Sequence, residues 1–246
     1  MHSKALHAFN QRLDYFDDDI ELVDVLRASI VAGDLSNNAG TKPFDRVDPA
    51  IHRHLARRSN SDGTRENCIH HLRSSVHSSY IKDTYEEVTE YLKSVLRAAS
   101  LQGFSAGRII GEHSFKMDAS TVLSFGSWDA VCRSITDSVF QALEAERSTL
   151  NLIKKSANKL GLNLTQSFVD EALPYLETRH FLVHADGKLS REFTATNPHI
   201  RHQNGFVVLD YAFMTEFKNK VRALINHYDQ QIIAANFLAA GDIHGQ

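Results

Sequence analysis

The chain has 246 residues, of which 42% are hydrophobic and 23% charged, with a formal net charge of -3. That allows one large domain or two small ones with material for a core, and it provides no global positive field to recruit nucleic acid, so any RNA or DNA contact has to come from a local cluster or from two facing subunits. Two cysteines, Cys68 and Cys132, exclude a disulfide framework and a cysteine zinc site, and no window approaches the roughly 18 apolar residues of a membrane span.

The opening MHSKALHAFN lacks the apolar stretch of a signal peptide, so a cytoplasmic protein with no membrane contact is expected. Glycine (12) and proline (4) are sparse, which favours long helices. Residues 20–31 place Leu22, Val23, Val25, Leu26, Ile30 and Val31 on a helical stripe that Gly33 ends. Residues 34–64 then break into Asn, Gly, Pro, Ser and Asp around the basic patch His52 to Arg58, which has the composition of a mobile loop with a solvated charged face.

From residue 64 to 100 the pattern is continuously helical. Cys68, Ile69, Leu72, Val76, Tyr80, Val88, Leu92, Val95 and Leu96 recur at three- and four-residue steps with no proline or glycine between them. A helix of about 35 residues is about 50 Å long, the length of a bundle spine. Arg108 to His113 reads as a short extended piece. Ser127 caps a helix from Trp128 to about Gln141, and Leu150 to Leu160 forms another that Gly161 ends. Thr165 or Ser167 opens the next, where Pro174 either kinks the helix or starts a fresh one, and Gly187 suits its end. Residues 194–205 read as loop, Phe206 to Leu209 as a short strand, and Asp210 as the cap of a last long helix. The sum is an all-α, up-and-down bundle of about five main helices. Residues 1–63 form an N-terminal helical extension with the loop, and residues 64–246 the bundle domain.

Chemistry concentrates in Arg179-His180-Phe181-Leu182-Val183-His184-Ala185-Asp186-Gly187-Lys188. The Phe-Leu-Val filling wants burial, which holds the arginine and both histidines at the edge of a core. Arg179 and His184 are five residues apart, about 140° around a straight helix after one full turn, so they do not point at one atom unless the helix distorts or two copies meet across a two-fold axis. A helix C-terminus favours a cation at His184. A histidine can take a proton from a nucleophile and give one to a leaving group, while a guanidinium holds a phosphate bidentately. RNA carries its own nucleophile, the ribose 2′-hydroxyl, so this pair suffices for cleavage without metal.

The string RHFLVHADGKLSREF (Arg179 to Phe193) resembles the signature of the HEPN superfamily, on the side of its RiboL-PSP-like branch, and His71 to Leu92 is similar to the first long helix of such domains. The resemblance covers roughly residues 64 to 240. It implies a helical bundle that dimerises with the two motifs at the interface, forming a composite active site. It also implies a metal-independent endoribonuclease of toxin–antitoxin, anti-phage defence or RNA-processing type, with an antitoxin or operon partner and no cofactor. The motif positions fall on Arg179 and His184, with His180 at the polar position after the arginine. An accessory residue from the first long helix would be Asp83, Tyr85 or Glu87. Some relatives are non-catalytic modules that bind nucleotide, RNA or protein.

Simpler assignments compete. Arg179 can pair with Glu177, Asp186 or another carboxylate, and His184 can bond a carbonyl at the edge of a core. Lys188 and Arg191 either extend a phosphate-binding surface or are exposed turn residues. Trp128, Tyr80, Tyr85 and Tyr91 read as core or interface aromatics. His180 and His184, four residues apart, lack the intervening glutamate and a third ligand, so no metal site is expected.

Overall fold

The computed structural model describes residues 1–32, 48–53, 62–102, 106–112, 116–146 and 148–244. Strand β1 (His2–Ser3) leads into α1 (Lys4–Ala32), and α2 (Asp62–Leu101) is the spine, 40 residues and about 60 Å long. The short α3 (Ala106–Ile110) and α4 (Ala119–Ser124) precede α5 (Trp128–Ala145), α6 (Thr149–Leu160) and α7 (Gln166–His184). Then come α8 (Arg191–Thr196), a hairpin of β2 (His202–Gln203) and β3 (Phe206–Val207), α9 (Tyr211–Ala234), a 3₁₀ turn and β4 (Ile243–His244). The all-α expectation holds: the strands are two-residue pairs, and α2 packs against α1, α5, α6, α7 and α9. No helix among the described residues is long and apolar enough to cross a membrane.

Side chains set most of the boundaries. Ser127, Ser148, Ser190 and Asp210 each accept a hydrogen bond from the backbone N–H three residues on, at the starts of α5, α6, α8 and α9. Gly161 closes α6 at φ +68°, a conformation that suits glycine. Pro174 lies inside a continuous α7 and does not start a new helix.

Three elements differ from expectation. The helix placed at residues 20–31 begins at Lys4, because Leu6, Phe9, Leu13, Ile20 and Val23 share one buried face, the first four of them in the central core; of the stripe expected at 20–31, Leu22, Val25, Leu26 and Val31 are exposed and Val23 is the one fully buried member. Arg108 to Ile110 is helical, within α3; His113 lies outside the described residues. Residues 191–196 form α8, anchored by buried Phe193. Of the aromatics read as core or interface, Tyr80 and Tyr91 are buried, and Trp128 is 71% exposed, which puts it outside the core of this chain. Most of the basic patch after His52 lies outside the described residues.

His77, on the inner face of α2, is fully buried. Its Nδ1 lies 3.0 Å from the Leu209 carbonyl oxygen, and its Nε2 has no partner. Burial lowers its pKa; the Leu209 carbonyl opposes this, Arg73 adds to it, and Asp24 and Asp210 oppose it further. The unfolded chain therefore protonates at a higher pH than the fold does. The contribution is complete above the ordinary histidine range near 6.5 and is lost as pH falls below it. Melting temperature is expected to drop on acidification below about pH 6.5, and His77→Gln should flatten that slope in a pH series of thermal melts.

Candidate functional site

The last two turns of α7 divide their side chains between two directions. Phe181 and Leu182 pack against the core, with the Phe181 ring 4.8 Å from that of Phe193 in α8. Val183 is exposed, so the apolar filling is buried only in part. Arg179, half-buried, and His180 and His184, both exposed, point the other way and line one cleft of about 590 Å³. His184 is the final helical residue. The turn after it is fixed by its own hydrogen bonds: Ala185 and Gly187 both donate to the Phe181 carbonyl at 2.9 Å. Asp186 and Gly187 adopt positive φ, and Val207 in β3 donates to the Gly187 carbonyl at 3.0 Å. The hairpin thus clamps the end of the motif.

The opposite walls come from α2, α5 and α6. Tyr85 of α2 lies beneath Arg179, whose Cζ is 4.7 Å from the ring centroid, a cation–π contact that holds the guanidinium plane. Leu152 and Leu176 are buried apolar walls, and Glu144 adds a carboxylate. Ser148 and Thr149 bring the amino end of α6 to the cleft, where the helix dipole favours an anion. His180 and His184 have ring centroids 4.9 Å apart. Both line the cleft together with Arg179 although α7 is unbroken: a shared cleft, rather than a shared atom, accommodates the 140° offset.

The competing partners for Arg179 are not engaged. Among the described residues it forms no ion pair, with Glu177, Asp186 or any other carboxylate, and its Nε has no hydrogen-bond partner. Glu177, half-buried, has its carboxyl pushed above the usual range by loss of solvent. No carbonyl bonds His184 among the described residues.

Of the other expected residues, Tyr85 alone joins this cleft. Asp83 lines a separate depression against α1 with Phe16 and Asp19. Glu87 faces α1, 3.9 Å from Arg12. Successive residues of α2 point to different sides, so only one of the three reaches α7. Lys188 pairs with Phe206 of the hairpin, and Arg191 begins α8; both are exposed and neither lines the cleft. Glu144, Ser148 and Thr149 were missed by sequence reasoning. Ser148 carries a capping signal, but nothing local connects it to residue 179.

Set against family models, curated proteins and solved structures, the chain matches none. Function therefore has to be argued from the cleft.

Proposed function

We propose that this protein is a metal-independent endoribonuclease of HEPN type, with Arg179 and His184 as its catalytic pair. The supporting observation is a half-buried guanidinium, unpaired by carboxylate and held by Tyr85, in one cleft with two exposed imidazoles. An unpaired cation at a core edge is a ready site for a phosphodiester. The amino end of α6 adds partial positive charge from the facing wall.

In this mechanism His184 takes the proton of the ribose 2′-hydroxyl as that oxygen bonds the adjacent phosphorus. Arg179 offsets the charge that builds on the equatorial oxygens of the phosphorane. The P–O5′ bond then breaks, and the departing 5′ oxygen takes a proton from an imidazolium. His184 can return its own, or His180, 4.9 Å away between ring centroids, supplies it. The products are a 2′,3′-cyclic phosphate and a 5′-hydroxyl. Lys188 and Arg191 would meet the strand only beyond the cleft.

The reading includes a homodimer whose two clefts share a groove, because one copy at net charge -3 offers little positive potential to a polyanion. It also includes a toxin or anti-phage role restrained by an antitoxin or operon partner. Glu144 favours the alternative, a module that binds nucleotide, RNA or protein without cutting, since a carboxylate on the wall opposes a phosphate. Incubation with RNA in excess chelator decides between them. Cleavage to cyclic-phosphate ends, lost in Arg179→Ala and His184→Ala, supports the enzyme. Binding without cleavage supports the module. Expression should slow growth in a His184-dependent way.

Tyr85→Ala removes the face on which Arg179 rests. At about 0.5–2 kcal/mol for a cation–π contact, RNA affinity should fall about two- to thirtyfold in a fluorescence-anisotropy titration.

A further inference from the structure

Outside the cleft, three histidines meet where β1 and β4 pair. Antiparallel β1 and β4 set His2 directly opposite His244, which places both side chains on one face. His7, in the first turns of α1, closes the group. Ring centroids lie 3.8 Å apart for His7 and His244, 5.0 Å for His2 and His244, and 5.8 Å for His2 and His7. One ring nitrogen from each falls within 4.8 Å of the other two. None of the three rings hydrogen-bonds to another described residue.

We propose that His2, His7 and His244 form a binding site for a borderline divalent transition-metal cation, Zn²⁺ above all. Three imidazoles with no carboxylate suit Zn²⁺, Cu²⁺ or Ni²⁺ and disfavour Mg²⁺ and Ca²⁺, which demand oxygen ligands. At Zn–N distances of about 2.0–2.1 Å a tetrahedral ion needs nitrogens roughly 3.4 Å apart, inside the 4.8 Å within which the three now lie, so any closure is a small inward turn of the rings. His244 is exposed and His2 and His7 are only partly buried, so none of the three rings is locked in the core. With His244 exposed, the fourth ligand would be a water. A ligand must also be neutral. The residues are 5 and 237 positions apart, so only the folded chain assembles the site, and the bound ion would pin β1, β4 and α1 together. None of these residues belongs to the α7 cleft, so the site stands or falls separately from the endoribonuclease proposal.

The test uses the full chain without a histidine tag, stripped with chelator and dialysed, then titrated with ZnCl₂ by calorimetry. One equivalent should bind. At Zn²⁺ a hundredfold above Kd the melting temperature should rise by about 5–10 °C. Replacement by Co²⁺ should give the intense visible bands of a tetrahedral centre. His7→Asn and His244→Asn, each checked for native circular dichroism, should weaken binding at least tenfold, whereas His180→Asn/His184→Asn should leave it unchanged. Absence of one-equivalent binding, or affinity that survives in His7→Asn/His244→Asn or is lost in His180→Asn/His184→Asn, overturns the proposal.

Discussion

His184→Ala is expected to lower the single-turnover rate of RNA cleavage by about 10²–10⁴-fold, the usual contribution of a positioned proton-transfer group. Because His184 is an exposed helix-end residue whose side chain makes no hydrogen bond among the described residues, its loss should leave the thermal melt unchanged. Arg179→Ala should cost about 10²–10³-fold, as removal of a charge-stabilising donor does. Lysine at 179 should not restore the rate, since it lacks the bidentate fork and the guanidinium that lies over the Tyr85 ring. The double variant should be little worse than the more damaged single one, because the two groups act on one step. Equal rates in the wild-type and His184→Ala proteins, with both melts native, would remove His184 from the mechanism.

Asp229→Ala should be the most damaging single change to stability outside the apolar core. Asp229 is buried in α9, where its carboxylate accepts the Ser3 backbone N–H at 2.9 Å, the Ser3 hydroxyl, and the Tyr91 hydroxyl at 3.1 Å. Burial, followed by that carboxylate and the neighbouring Tyr228, holds the Tyr91 phenol well above its ordinary range, so Tyr91 remains the donor. Alanine strands three donors in a dry interior. At about 1.5–3 kcal/mol for each bond to a charged group, with losses that overlap, about 3–5 kcal/mol is expected. Melting temperature should fall by about 6–20 °C. Tyr91→Phe removes one bond of the three and should cost about 1–2 kcal/mol. A denaturant series on the three proteins checks the ranking, and an Asp229→Ala midpoint equal to wild type would show that β1 is not held through this carboxylate.

Local signals carried much of the fold. The α2 stripe, the caps at Ser127 and Asp210 and the stop at Gly161 each lie within a few residues of the feature they cause, and each is where the sequence puts it. The early turns of α1 went unread: Leu6, Phe9 and Leu13 have helical spacing, but the polar residues between them dilute the pattern. Trp128 stood as core or interface because periodicity gives a side and not what covers it, and its exposure removes the core alternative. In the cleft, Arg179, His180 and His184 were visible from spacing and chemistry. Tyr85 could not be separated from Asp83 and Glu87 without knowing which face of α2 meets α7. Glu144, the amino end of α6 and the histidine trio arise from contacts between distant segments, which leave no trace in a single sequence.

One helix of 40 residues lies against five others, so breaking it exposes apolar surface in every layer at once. The backbone amides of its middle, around Ile81 to Leu96, should therefore exchange with deuterium only on global opening, together with those of α9. The short α3 and α4 should exchange by local fraying, well before the spine releases a single proton.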